Sequence, residues 1–403
     1  MKEITIPIIP EVGIITLVPD EWDSPWQSRH HIVNQLRLYF PTVWVNPATE
    51  WRQLGKVWKS YLLRRQTQPS LRGLVVYHPE PWLPLLYRPR LLASIFLRQR
   101  LENARDLLRR CGCQNFILYL WRPGFASALT HCSYDLSCYH IDDEYSFSNT
   151  DLSIDEQEMK LLAGVDQVFV HSIGLFEKKG KINPHTTLIP NGVDYQLFAQ
   201  IWKEPDDMAV IPRPRIGYTG VLKSTLDWDL LVSLVIQHPE WSFVFVGPQQ
   251  LHREVAAAAA KLEQLPNAYF LGAKSLQDLA TYPQHFDVCL MPYRRDSHSV
   301  KYGYPLKLHE YLAGGKPTIG SRLRSLEAFS NVVALVTTLD EWSHAITKAL
   351  EPGANTNEWQ KARQFVARQH DWRVLVLQIA RALTDRLGNN FTARLREISE
   401  TSL

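Results

Sequence analysis

The chain contains no run of ~18 consecutive apolar residues, the length a helix needs to cross a bilayer. Its first stretch, MKEITIPIIPEVGIITLVPDEW, interrupts its apolar character with Pro and acidic residues, a poor match to a secretory leader. Cysteine is sparse and odd in number, five in 403 residues, which argues against a disulfide scaffold and for a reducing compartment. Cys111 and Cys113 form only C-x-C. Cys132 and Cys138, near His131 and His140, do not have the spacing of a zinc knuckle and read as ordinary thiols. Internal repeats are absent, and Ala256–Ala260 is the one low-complexity run. With 45% hydrophobic and 21% charged residues, the chain is neither disordered nor fibrous, and its length suits two or three domains.

What is abundant is tryptophan, 13 residues. Trp228, Trp241, Trp342, Trp359 and Trp372 fall on or beside regular elements and read as packing residues. Trp22, Trp26, Trp44, Trp51, Trp58, Trp82 and Trp121 crowd the first half, several in polar, Pro-containing stretches, and Trp202 lies between. Indoles in such settings line ligand clefts or membrane interfaces, or pack under loops.

Charge is balanced overall at +3 but not locally. Residues 51–110 carry thirteen Lys or Arg against three acids, a local charge of +10. Apolar residues interleave with it. YRPRLLASIFLRQRLENARDLLRR reads as a helix with Leu91, Leu92, Ile95, Phe96 and Leu101 on apolar positions and Arg elsewhere. Such a face suits an anionic membrane surface or a phosphorylated acceptor; the other reading is an ordinary solvated helix face. No recognition motif supports nucleic acid as a partner.

Short apolar runs alternate with helical patterns: GIITLV (13–18), TVWVN (42–46), LVVYH (73–77), FILYL (116–120), LSCYH (136–140), QVFVH (167–171) and TTLIP (186–190). This alternation indicates parallel strands covered on both faces. The Pro- and Asp-rich stretch 195–214 breaks the rhythm and reads as a linker. Strand runs then resume at RIGYTG, SFVFVG, AYFLG, FDVCLMP, PTIGS and VVALV. The expected class is α/β, with two doubly wound Rossmann-like domains. The expected boundaries are 1–194, a linker at 195–214, a second domain at 215–365, and a C-terminal helix at 366–403 returning to the first domain. A break in that helical tail is expected near His370-Asp371-Trp372. Parallel sheets bind ligands at their carboxyl ends, so two such domains are expected to face a central cleft.

Several tracts carry chemistry. VKYGYPLKLHEYLAGGKPTIGS (300–321) places a loop, Tyr302-Gly303-Tyr304-Pro305, before a helix at 306–313. A helix N-terminus offers free N–H groups to a diphosphate, and Lys307 adds a cation in the first turn. Glu310 stands one turn further on and can face the same ligand, or pair with Lys307 on the surface. Together with LIPNGVDYQLF (188–198), IGYTGVLKSTLDWDLL (216–231), FVFVGP (243–248) and FDVCLMPY (286–293), this tract resembles the donor-binding half of retaining GT-B glycosyltransferases of family 4. YHIDDEYSF (139–147) and DQVFVHSIGLF (166–176) carry a looser resemblance in the first half.

The resemblance implies a donor site of Gly220, Lys223, Pro305, Leu306, Lys307 and Glu310, with Glu310 accepting the ribose hydroxyls. It implies His140, Lys307 and Glu310 as catalytic positions, with His140 against the transferred sugar; otherwise His140 is a core residue and Lys223 an exposed loop lysine. Asp142, Asp143 and Glu144 bind acceptor hydroxyls or cap the next segment, and SRHH (28–31) lines the acceptor side. The sequence departs from the family pattern at Tyr302, where members often carry a first Glu, and in having Lys223 without an adjacent Arg. Asp227-Trp228-Asp229 spells the D-x-D of a different, metal-dependent glycosyltransferase fold, but it opens a helix, where acids suit the dipole.

The expected activity is metal-independent transfer of a sugar from a UDP-, GDP- or dTDP-sugar, with retention, to a saccharide or lipid-linked acceptor. The resemblance points to cell-surface polysaccharide or glycolipid synthesis, with no cofactor beyond the donor. Retention in the family is explained by front-face attack, the departing phosphate helping to deprotonate the acceptor. The expected location is cytoplasmic, peripheral at the inner membrane face. Alternatives are a sugar-nucleotide epimerase of GT-B fold or a degenerate, non-catalytic glycan-binding module.

Overall fold

The strand runs named above form two separate parallel sheets. The computed structural model describes residues 7–53, 71–145 and 153–401. Lys56, Lys59, Arg64, Arg65 and Trp58, and Ser146 and Phe147 of YHIDDEYSF, lie outside these residues.

The first sheet contains β1 (Val12–Leu17), β2 (Thr42–Val45), β3 (Leu74–Tyr77), β4 (Asn115–Leu120), β5 (Leu136–Ile141), β6 (Gln167–Val170) and β7 (Thr186–Leu188). Their order is β3-β2-β1-β4-β5-β6-β7, with parallel pairing throughout. β1, β2, β5 and β6 are buried along their whole length, whereas the edge strands β3 and β7 are partly open. A strand covered on both faces needs apolar residues at every position, which is why these runs do not alternate. The order turns back between β1 and β4, so the carboxyl ends of those strands mark this sheet's switch point.

The second sheet contains β8 (Arg215–Thr219), β10 (Ser242–Val246), β12 (Ala268–Phe270), β13 (Val288–Met291), β14 (Thr318–Ser321) and β15 (Ala334–Val336). Its order is β12-β10-β8-β13-β14-β15, with the switch point between β8 and β13. A two-stranded ribbon of β9 (Leu222–Lys223) and β11 (Gln249–Gln250) continues beyond the ends of β8 and β10.

The chain divides into two units. One comprises the chain up to His171, Leu175–Ile189 and Leu375–Leu403; the other comprises Ser172–Gly174 and Pro190–Val374. The stretch 195–214 is not a free linker. It forms short helices at Tyr195–Ala199 and Asp206–Ala209, and buries Phe198, Met208 and Ile211 in the core of the second unit. Three scattered apolar residues have no period to read, but each finds a place in that core.

The tail is broken between the helices Asn357–Gln369 and Trp372–Leu387. Asp371 supplies the reason: its side chain accepts the Arg373 backbone N–H at 2.8 Å, while the flanking backbone pairs with Val193. From Leu375 the helix belongs to the first unit, and Leu375, Val376, Ile379, Ala380 and Leu383 form one buried stripe.

The tryptophans divide differently from the sequence expectation. Trp44 and Trp121 are fully buried in the first unit, their indole N–H groups donating to the Asp20 carbonyl and the Thr16 hydroxyl at 3.2 and 3.0 Å. Trp359, expected to pack, is about half exposed in the first turn of its helix, with the Arg363 guanidinium 5.9 Å from its ring centre.

Candidate functional site

In the second unit, the carboxyl end of β8 turns at Gly220, which has φ +113°. Gly247, after β10, has φ +151°, and a Cβ there would stand 2.1 Å from the Gly220 carbonyl oxygen. The Gly220 N–H donates to the Val246 carbonyl at 2.7 Å. Both turns therefore require glycine, one for its dihedral and one for the close approach.

The space opposite Gly220 is filled by Lys307. A Cβ on Gly220 would meet the Lys307 Nζ at 2.6 Å, and that Nζ lies 5.0 Å from the centre of the Tyr218 ring. Lys307 opens the helix Lys307–Ala313, with Pro305 and Leu306 just before it. Tyr311, on the same helix, receives the Thr219 N–H at 2.9 Å and so ties the helix to the end of β8. Arg363 donates to the Gly315 carbonyl at 3.1 Å and closes the helix's other end.

Lys307 and Glu310 are both partly buried. Among the described residues, neither has an oppositely charged group within 4.0 Å, so they do not pair with each other. Burial opposes the Lys307 charge, but the neighbouring Tyr293 and Tyr311 hydroxyls and Glu310 outweigh it and raise its pKa. Burial also pushes the Glu310 carboxyl up, with Lys307 opposing. Two partly buried charges without ionic partners, one turn apart at a sheet's switch point, are an arrangement that can accept a charged, hydrogen-bonding ligand. Lys223 is exposed on β9, three residues past Gly220.

Tyr302 stands where family members often carry a Glu. It is buried, and its carbonyl accepts the Ser172 hydroxyl at 2.6 Å. The adjacent loop is held by Asn191, whose side chain donates to the Tyr304 carbonyl at 2.7 Å.

In the first unit, His140 is the penultimate residue of β5 and is 1% exposed. Its ring stacks on Trp121 with centroids 4.4 Å apart, and Nδ1 lies 2.7 Å from the Tyr119 hydroxyl. Burial depresses its pKa to about 3, so it is neutral at physiological pH. Asp142 pairs with Arg29, lies 3.7 Å from Arg122, and accepts the Tyr145 hydroxyl at 2.5 Å. Burial opposes the Asp142 charge, and those partners overcome it, leaving its pKa lowered. Asp143 accepts the Glu144 N–H at 2.8 Å. Glu144 is buried 2.9 Å from Lys179, which also lies 2.7 Å from Glu158. Asp143 thus caps the turn, whereas Asp142 and Glu144 are engaged in internal ion pairs that neither sequence reading foresaw.

Asp227 caps the helix Trp228–Gln237 by accepting the Leu230 N–H at 3.0 Å, and Asp229 sits in its first turn. Among the described residues, no group of three His, Cys, Asp or Glu side chains is placed to share a metal ion.

Residues 213–352 match the family model described as glycosyl transferases group 1. That interval spans Gly220, Lys223, Lys307 and Glu310. In that interval the chain is similar to the group 1 glycosyltransferases. It is 28% identical over 389 residues to a putative teichuronic acid biosynthesis glycosyltransferase of Bacillus subtilis (strain 168), covering 89% of this chain and 94% of that protein. A solved trehalose-6-phosphate synthase, studied for glycosyl transfer with retention, aligns with a TM-score of 0.62 at 12% identity, over 93% of this chain and 98% of that one. TarM of S. aureus, solved with UDP and α-GlcNAc-glycerol, aligns with a TM-score of 0.57 at 12% identity, over 94% and 100%. At such identities the two structures establish the fold, which is GT-B.

Two features of the site escape motif reading. Tyr293 follows β13, and its carbonyl accepts the Ser321 hydroxyl at 2.7 Å, holding its phenol toward Lys307 and Tyr218. His309 is fully buried, with Nε2 2.8 Å from the Tyr304 hydroxyl and its ring stacked on His370 at 3.9 Å. It ties the loop before Lys307 to the helix carrying Glu310. FDVCLMPY and LHEYL contain both residues, but only packing distinguishes their roles.

Proposed function

We propose that the protein transfers a sugar from a nucleoside-diphosphate sugar to a saccharide or lipid-linked acceptor, with retention and without a metal, in cell-surface polysaccharide synthesis. The observation that carries this reading is the pair of charges Lys307 and Glu310, without ionic partners among the described residues, beside Gly220. The named role of the Bacillus relative in teichuronic acid biosynthesis supports the cell-surface assignment.

In this reading Lys307 faces the diphosphate. Negative charge on the leaving group grows as the glycosidic bond breaks, and a fixed cation in a partly desolvated site stabilises that growth. The neighbouring phenols hold the ammonium in place before reaction. Glu310 accepts hydrogen bonds from the ribose hydroxyls and orients the nucleotide. Gly220 leaves the room the diphosphate and Lys307 share, while Lys223, Pro305 and Leu306 complete the donor side. The departing phosphate takes the acceptor proton. His140, held neutral, contributes a hydrogen bond to the sugar and no proton. Trp22 and Trp26, half-buried with ring centroids 5.4 Å apart and backed by the buried Trp44 and His30, offer ring faces to acceptor sugars.

A screen of UDP-, GDP- and dTDP-sugars tests the reading. One class should raise the melting temperature of wild type and leave Glu310→Ala unshifted, and turnover should release the nucleoside diphosphate with EDTA present. NMR of the product should show the donor's anomeric configuration. Donor isomerisation without acceptor would assign the epimerase activity instead, and binding without turnover a glycan-binding module.

A further inference from the structure

We propose that the first two turns of the helix Arg90–Arg110, with the residues just before it, dock on an anionic lipid bilayer. The helix is divided along its length. Its second half is committed to the first unit: Leu101, Ala104 and Leu108 are buried, and the helix packs on β1 and β2. There two of three arginines are compensated, Arg105 pairing with Glu102 at 3.2 Å and Arg109 with Asp106 at 2.8 Å.

The first half is the opposite on both counts. Tyr87 is 72% exposed, Leu91 74%, Leu92 43% and Ile95 51%. Leu91, Ile95 and Arg98 follow the i, i+4, i+7 spacing of a single stripe, so the apolar residues and a guanidinium share one face. Arg88, Arg90 and Arg98 are exposed and form no ion pair among the described residues. The sequence from Pro81 to Leu101 contains four Arg and no acid. The fourth, Arg100, is buried and donates to the Leu83 carbonyl at 3.1 Å, anchoring the approach to the helix.

This combination selects the occupant. A second copy of the chain would bring three uncompensated guanidinium groups against three more, which charge repulsion opposes. A neutral apolar partner would leave the guanidinium groups without counter-charge. A bilayer with anionic headgroups answers both demands: leucine, isoleucine and tyrosine enter the acyl boundary while arginine heads stay among phosphates, their stems lying along the apolar layer. The expectation read from residues 51–110 as a block is thereby narrowed to 87–98. The proposal is independent of the sugar-transfer reading, because it requires no donor.

The test is sedimentation of the full chain with vesicles, in the absence of any nucleotide sugar. The chain should bind phosphatidylcholine vesicles containing phosphatidylglycerol in low salt. It should bind pure phosphatidylcholine vesicles roughly tenfold less, and leave the anionic ones at about 1 M salt, where screening acts within about 3 Å. The double variants Leu91→Glu with Ile95→Glu, and Arg90→Glu with Arg98→Glu, should each reduce partitioning roughly tenfold or more at unchanged melting temperature. The proposal fails if the chain ignores anionic vesicles in low salt, or binds neutral and anionic vesicles equally. It also fails if both double variants partition like wild type. Loss of a concentration-dependent dimer in Leu91→Glu with Ile95→Glu, without vesicle binding by wild type, would assign the face to a second copy.

Discussion

The ammonium of Lys307 occupies the space that a side chain at Gly220 would need, 2.6 Å from the position of the missing Cβ. The end of β8 and the start of the helix Lys307–Ala313 therefore form one object, and each can be tested through the other. Gly220→Ala should displace Lys307 and add a backbone strain of about 1–3 kcal/mol at its positive φ. Isothermal titration should show weaker nucleotide-sugar binding in a chain that still folds. Unchanged affinity would separate Lys307 from the diphosphate.

Lys307→Ala should lower kcat by on the order of 10²–10³, with a smaller change in donor affinity, because its charge matters most as the leaving group develops. Steady-state kinetics with donor varied at saturating acceptor measures the division. A loss confined to KM would make Lys307 a ground-state binder.

Glu310→Gln keeps the shape of the side chain and removes its charge. Nucleotide affinity should fall about ten- to a hundredfold, the range for a hydrogen bond to a charged group. Comparing a nucleotide with its 2′,3′-dideoxy form assigns the contact: the variant should lose the preference for the ribose hydroxyls.

His140 has a folded-state pKa of about 3 against an ordinary value of 6.5. The folded state holds it neutral and the unfolded state protonates it first. Its contribution is therefore complete above pH 6.5 and is lost as the pH falls toward 3, at about 1.4 kcal/mol per pH unit. Denaturant unfolding of wild type and His140→Asn between pH 7 and 4 should give a shallower acid slope in the variant. Parallel slopes would show that His140 is not protonated on unfolding.

Lys179 is fully buried between Glu144 and Glu158. Lys179→Met should leave two buried carboxylates facing each other and cost about 3–5 kcal/mol in stability. Urea unfolding followed by tryptophan fluorescence reads this loss. The triple variant Lys179→Met, Glu144→Gln, Glu158→Gln should recover part of it.

Much of the fold is legible along the chain because a strand covered on both faces must be apolar at every position. Runs such as GIITLV and SFVFVG leave few alternatives, and each lies on a central strand. The irregular stretch 195–214 lacked such a constraint. Phe198, Met208 and Ile211 reveal themselves as core only when β8 and its neighbours are assembled around them. Trp44 and Trp121 were illegible for a related reason, since an indole reads alike in a cleft and in a core until its N–H partner is located.

By itself the sequence determined the two parallel α/β units and the order of their strands along the chain. It also placed the PLKLHEYLAGG tract, with Lys307 and Glu310 one turn apart, because period and spacing are local properties. Tertiary structure alone decided that Gly220 makes room for Lys307 and that Tyr293 and His309 support the same site. It also decided that Asp142 and Glu144 turn inward to Arg29 and Lys179, and that Arg105 and Arg109 find acids on their helix while Arg88, Arg90 and Arg98 at its start do not. These depend on which distant residues meet, and whether a charge has a partner is a fact about space that no local pattern contains.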